Sequence, residues 1–95
     1  MAYTREDTVE NYLVAQVKAR GGIAYKFTSP GRMGVPDRIC VFDLGWLFFV
    51  ETKAPKGRLS PAQKREIKRL RDRGQRVYVP ASRAEVDELL EFELT

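Results

Sequence analysis

Apolar residues follow two rhythms along this chain. Val9, Leu13 and Val17, widened by Tyr12 and Val14, recur with the period of a helix. Thr4 reads as the N-cap of that helix, with Asp7 at its third position, and Gly21-Gly22 ends it after about Arg20. The rhythm then shortens. Residues 23–27, Ile-Ala-Tyr-Lys-Phe, read as a strand, and residues 28–36 as a loop broken by glycine and proline. Residues 37–42 and 46–53 form two further strands, joined by a hairpin turn at Asp43-Leu44-Gly45.

The last of these strands breaks the usual alternation. Leu47, Phe48, Phe49 and Val50 are apolar on both faces, which predicts a central strand covered from both sides. Because strand side chains alternate, Leu47, Phe49, Glu51 and Lys53 share one face, so a carboxylate and an ammonium continue an apolar row. After a polar loop over residues 54–59, Ser60-Pro61-Ala62-Gln63 opens a second helix with serine at the N-cap, proline first and glutamine third. Gly74 closes that helix. Residues 75–79 read as a fourth strand, and Ser82 with Glu85 as a capping box before the stripe Val86, Leu89, Leu90. The order α-β-β-β-α-β-α predicts an α/β fold: a central mixed sheet of about four strands flanked by helices, in one domain over residues 1–95.

Composition narrows the chemistry. A chain of 95 residues can bury one modest core and has no room for a separate substrate domain. The longest apolar run, residues 45–50, is far too short to span a bilayer, and no apolar signal segment opens the chain, which predicts a cytoplasmic protein without a membrane partner. Cys40 is the sole cysteine, so neither an intramolecular disulfide nor a cysteine-rich zinc site can form. Histidine is absent. Triads, Cys-His dyads and histidine metal sites are therefore excluded, and any hydrolysis must run on carboxylates, lysine and an oxygen-bound metal. The net charge of +4 is unevenly placed: residues 1–82 carry sixteen basic and eight acidic side chains, residues 83–95 one and five. The basic part suits a polyanion, and equally a solvated surface.

Against that background one constellation stands out. Asp37 follows Pro36, and after thirteen intervening residues comes Glu51-Thr52-Lys53 at the end of the apolar strand. A hairpin brings the two carboxylates together, where they repel, and a divalent cation relieves the repulsion. Mg²⁺ is commonly held by one or two carboxylates plus phosphate. Such an ion lowers the pKa of a water and polarises a phosphoryl oxygen, while Lys53 can orient that water or stabilise the developing charge. The Thr52 carbonyl is a possible further ligand. The competing reading is a plain Glu51–Lys53 salt bridge with Asp37 as a turn residue. Charges are rarely set beside a twice-covered strand without a partner or ion, which favours a site. Glu10 falls on the apolar arc of the first helix, with Glu6 one turn earlier, and either can supply another carboxylate or simply reach out to water.

These segments resemble a known family. Gly34-Val35-Pro36-Asp37-Arg38, Phe49-Val50-Glu51-Thr52-Lys53-Ala54-Pro55 and Leu59-Ser60-Pro61-Ala62-Gln63 look like the three motifs of the VRR-NUC nucleases, within the PD-(D/E)xK superfamily. The segment Lys26-Phe27-Thr28-Ser29-Pro30-Gly31-Arg32 resembles the stand-alone, virus-type members. The resemblance implies a restriction-endonuclease-like core. It also implies Glu10, Asp37 and Glu51 as metal ligands, Lys53 as the catalytic lysine and Gln63 as the glutamine of the following helix. Gln63 has a capping role available to it as well. Dimers acting on branched DNA, four-way junctions above all, are implied in the same way.

Basic side chains complete the expectation. Arg32, Arg38, Lys56 and Arg58 flank the constellation and are candidate phosphate contacts; Lys26 can do the same or simply face solvent from its strand. Lys64, Lys68 and Arg71 share one face of the second helix and can follow a nucleic-acid backbone. The expected function is an Mg²⁺- or Mn²⁺-dependent DNA endonuclease acting as a homodimer, with Trp46, Phe48 or the first helix as apolar surface for the contact. The rival readings are a non-catalytic nucleic-acid-binding module on the same fold and a small interaction protein whose acid pair is structural.

Overall fold

The computed structural model describes residues 8–54 and 56–95. The elements follow the expected order: α1 (Val9–Ala19), β1 (Ile23–Lys26), β2 (Arg38–Val41), β3 (Leu47–Val50), α2 (Pro61–Asp72), β4 (Val77–Tyr78) and α3 (Arg83–Leu94). Thr4, Glu6 and Asp7 lie outside the described residues. The described helix starts at Val9, capped by Thr8, whose hydroxyl accepts the Asn11 N–H at 3.1 Å.

The sheet order is β1-β2-β3-β4, antiparallel except for the parallel β3–β4 pair. It is the mixed sheet the sequence implies, with β3 inside it. The strands are shorter than expected, yet single ladder bonds persist past their ends. Phe27 N–H donates to Asp37 O at 2.8 Å, Glu51 N–H to Tyr78 O at 2.9 Å and Lys53 N–H to Pro80 O at 3.0 Å. The chain thus stays extended through Lys53, which keeps Phe49, Glu51 and Lys53 on one face. The β2–β3 connection is a short 3-10 turn over Asp43–Gly45, in which Leu44 (φ 61°) and Gly45 (φ 76°) both adopt left-handed backbone. For exposed Leu44 this conformation costs about 1–2 kcal/mol.

The main core lies between the sheet and the pair α1 and α3. Leu13, Val17, Ala24, Cys40, Phe48, Val50, Val86, Leu89 and Leu90 form one buried cluster. Phe48 is its centre, stacked on Phe42 and met edge-on by Tyr78. Fully buried, Phe48 has no surface to offer a second subunit, contrary to the sequence expectation. Phe49 and its parallel neighbour Val77 turn to the other face, with Ile67 of α2 buried beside β4. The Ser60 capping box is complete, as expected. The Ser82 box is not: Ser82 caps the Glu85 N–H, but Glu85 Oε1 accepts from Ala81, one residue before the cap.

Candidate active site

The antiparallel register fixes the site. Arg38 pairs with Val50, so the next step outward sets Asp37 opposite Glu51, and Phe27 opposite Asp37 on the far side. Directly opposed residues stand about 4.5–5.5 Å apart between Cβ atoms, which makes the two carboxylates near neighbours. Gly34 brings the preceding loop against α2. A Cβ there would sit 2.5 Å from the Ala62 carbonyl group and 2.7 Å from Gln63 N, and φ is +85°, so only glycine fits. The same contact places the N-terminus of α2 beside Glu51.

Each carboxylate is held differently. Asp37 Oδ2 accepts two bonds from Thr52, the backbone N–H at 3.2 Å and the hydroxyl at 2.9 Å. Thr52 therefore positions Asp37 through its side chain, a role that the sequence reading, which looked to its carbonyl, missed. Glu51 is only 3% exposed. Its Oε2 accepts from Gln63 Nε2 at 3.2 Å, whereas its Oε1 is buried and has no hydrogen-bond partner. Gln63 makes the expected cap as well as this contact with Glu51, because its Oε1 accepts the Ser60 N–H at 2.7 Å. Burial first, and then the negative charge of Asp37, push the Glu51 carboxyl up to about 7. Lys53 does not neutralise it. No ion pair joins Glu51 to Lys53 among the described residues, and the Lys53 ammonium donates to the Gly57 and Ala54 carbonyls at 3.3 and 3.5 Å.

Glu10 is near enough for its charge to act on Glu51, but two cations hold it. Its Oε2 pairs with Lys26 Nζ at 3.0 Å and with Arg38 Nε at 2.8 Å. Burial works to raise its pKa, but these two cations hold it below the ordinary carboxylate value. Among the described residues, no group of three or more acidic or thiol side chains stands as a ready-made metal centre. The donor set present nevertheless fits a hard divalent ion. Two opposed carboxylates, one with an unpartnered buried oxygen, match the one or two that Mg²⁺ takes from protein when phosphate and water fill the remainder.

The six basic residues expected to meet phosphate divide evenly. Lys26 and Arg38 are tied to Glu10, and Arg32 to Glu66 at 2.9 Å. Lys56, Arg58 and Lys64 are exposed and join none of the ion pairs among the described residues. On α2, Lys68 pairs with Asp72, and Arg71 donates to the Val77 carbonyl.

The family model of the VRR-NUC domain matches residues 10–84, a span holding every one of these side chains. The chain belongs to the VRR-NUC domain family. Among its relatives in that nuclease family is a protein of Acyrthosiphon pisum secondary endosymbiont phage 1, named "Putative nuclease p44". It is 51% identical over 79 residues, which cover 83% of this chain and 85% of that one. A solved VRR-NUC domain superposes with a TM-score of 0.84 at 37% identity, covering 94% of this chain and 97% of its own. The VRR-NUC match therefore extends from sequence to fold. No helix among the described residues is long and apolar enough to cross a membrane.

Proposed function

We propose that this VRR-NUC domain is an Mg²⁺- or Mn²⁺-dependent endodeoxyribonuclease. One observation carries the reading: a buried glutamate with an unpartnered oxygen, set opposite a second carboxylate. An acid left so costs stability unless something positive arrives to occupy it. Asp37 and Glu51 are the ligands, with the Thr52 carbonyl available next to them. Glu10 is the third carboxylate of the set, with its Oε2 already held by Lys26 and Arg38. A divalent ion bound here supplies an acidified water and polarises the phosphoryl oxygen.

The chain's own groups do the positioning. Thr52 holds Asp37 in place, and Gln63, fixed by its place in the capping box, holds one oxygen of Glu51, whose other oxygen has no partner and would be available to an ion. Lys53 lies on the same strand face as Glu51. Moved from the Gly57 carbonyl, its ammonium can meet the attacking water or the charge that grows on the phosphate. Lys56, Arg58 and Lys64 are ready to meet backbone phosphates as they stand. The substrate we infer is branched DNA, four-way junctions foremost, cut by a homodimer whose two-fold axis relates paired incisions.

The test is incubation with labelled junction, flap and linear duplex in Mg²⁺ or Mn²⁺, against chelator. Cutting that needs the ion and is abolished by Glu51→Ala or Lys53→Ala supports the reading. Equal results with and without chelator sink it. Sedimentation should give about twice the monomer mass, and a monomer at micromolar concentration defeats the dimer.

A further inference from the structure

A cavity of about 450 Å³ opens next to the candidate active site, between the loop after β1 and the outer turns of α2. Its apolar wall is Phe27, Val35 and Leu70, and three guanidiniums, Arg32, Arg69 and Arg73, stand around it. One acid faces them. Glu66 is 4% exposed, and its Oε1 accepts from Arg32 Nη1 at 2.9 Å and from Arg69 Nη1 at 2.6 Å. Arg32 above all, with Arg69, holds the Glu66 carboxyl below its ordinary value, so it stays charged and keeps both arginines at the cavity. Three cations against one anion leave the cavity positive. Each guanidinium has five N–H donors; Arg32 and Arg69 each spend one on Glu66 and Arg73 one on the Arg69 carbonyl, so donors remain for a further anion.

Position ties the cavity to the site. Phe27 donates its N–H to Asp37, and Asp37 stands opposite Glu51, so the aromatic wall belongs to the same cross-strand row as the two carboxylates. Two strand spacings separate Phe27 from Glu51, about 10 Å. Along α2, Gln63 touches Glu51, while Arg69 and Arg73 follow at a rise of roughly 1.5 Å per residue, about 9 and 15 Å further. A strand whose phosphate lay at Asp37 and Glu51 would bring its next nucleotides to this opening. The volume falls in the range of about 300–1,000 Å³ usual for small-ligand sites, suited to a single nucleoside and not to a duplex. A base can lie on the wall only with its face free of its own stack.

We propose that this cavity receives one unpaired nucleotide flanking the scissile phosphate, with its base against Phe27, Val35 and Leu70 and its phosphate on Arg32, Arg69 and Arg73. The proposal rests on the nuclease reading for its orientation. It also gives that reading a reason for branched substrates, because only a branch point or a single strand presents an unstacked base beside a backbone.

The test reads binding in chelator, so its outcome is separate from whether the protein cuts. A duplex with a splayed end is labelled with 2-aminopurine at successive unpaired positions, and a fully paired duplex of the same sequence is the control. One position should change its fluorescence on binding, and Phe27→Leu, which keeps an apolar wall without the ring, should remove that change. Arg73→Gln, at an exposed position, should weaken the splayed DNA about tenfold relative to the paired control. No position-specific signal overturns the proposal. So does an equal loss on both DNAs in Arg73→Gln, which would mark only general attraction to phosphate. Loss of metal-dependent cutting with the fluorescence pattern intact would instead count against the nuclease reading alone.

Discussion

Glu51 and Glu93 are both buried glutamates at opposite ends of the inner strand β3, 3% and 6% exposed, and the fold treats them in opposite ways. Glu93 reaches from α3 to where β3 and β4 begin. Trp46 Nε1 donates to its Oε1 at 2.9 Å, and Arg76 Nε at 2.7 Å and the Tyr78 hydroxyl donate to its Oε2. Arg76 also lies over the Trp46 ring. Burial alone would raise the Glu93 carboxyl, but Arg76, Tyr78 and Trp46 together bring it below the ordinary value. Glu51, where β3 ends, has one side-chain donor, one empty oxygen and a negative neighbour, and is pushed up to about 7. A carboxylate with all its donors is part of the framework. One that is desolvated without them marks a place where something outside the chain belongs.

The largest expected difference between the two is catalytic. Glu51→Gln keeps the shape and the Gln63 contact but removes the charge. Cutting of a labelled four-way junction in Mn²⁺ should fall by at least about 100-fold. Glu93→Gln should leave the rate within a few-fold of the parent. Similar rates for the two variants would break the contrast outright.

Stability should separate them next, with opposite signs in pH. The Glu51 carboxyl moves from 4.5 to about 7 on folding. Between those values the folded chain keeps a proton that the unfolded chain has lost, so the metal-free protein becomes less stable as pH rises through the window, by up to about 3 kcal/mol. Glu93 is lowered instead: its contribution is complete above the unfolded value and disappears as pH falls through the folded one. Urea midpoints in chelator from pH 4 to 8 should therefore rise and flatten at the alkaline end in Glu51→Gln. Glu93→Ala should cost about 2 kcal/mol at pH 7 by stranding its donors. A Glu51→Gln variant less stable than the parent at pH 8 would mean that the empty oxygen is satisfied after all.

Metal should reverse the Glu51 penalty. Mn²⁺ at 100 times its Kd stabilises a single-site protein by about 2.7 kcal/mol. Thermal unfolding at pH 8 should shift upward with Mn²⁺ in the parent and in Glu93→Gln, and stay in place in Glu51→Gln.

The grouping of Asp37, Glu51 and Gln63 could be read from the sequence because its parts are local. Apolar runs on both faces of β3, the offset of two between Glu51 and Lys53, and the Ser60–Gln63 cap are all short-range patterns, and the hairpin register joins them. Glu93 could not be found that way. It sits in an acidic helix where a solvated face is the natural reading, and its donors are 15 to 47 residues away. Glu66 was hidden for the same reason: Arg32 lies 34 residues earlier, across a loop whose approach depends on Gly34. The ties of Lys26 and Arg38, candidate phosphate contacts by sequence, to Glu10 stayed hidden, because helical phase places Glu10 on the apolar arc without showing that the β1–β2 pair presents two cations there.

The smallest effect makes the sharpest form of the comparison. Thr52→Val removes one hydroxyl donor from Asp37 while leaving the backbone N–H bond, and Tyr78→Phe removes one hydroxyl donor from Glu93 while leaving Arg76 and Trp46. Each change deletes one hydrogen bond to a carboxylate and should cost about 1 kcal/mol in urea unfolding. Their stabilities should be alike, so stability cannot tell the two environments apart. Ion affinity can. Asp37 freed from Thr52 Oγ1 loses its fixed rotamer, and loss of such a supporting contact weakens metal binding by about 10-fold or more. Calorimetric titration with Mn²⁺ should show that weakening in Thr52→Val and parental affinity in Tyr78→Phe. If the two variants bind Mn²⁺ equally well, Asp37 is no ligand, and the carboxylate pair opposite each other on β2 and β3 is as structural as the Glu93 cluster.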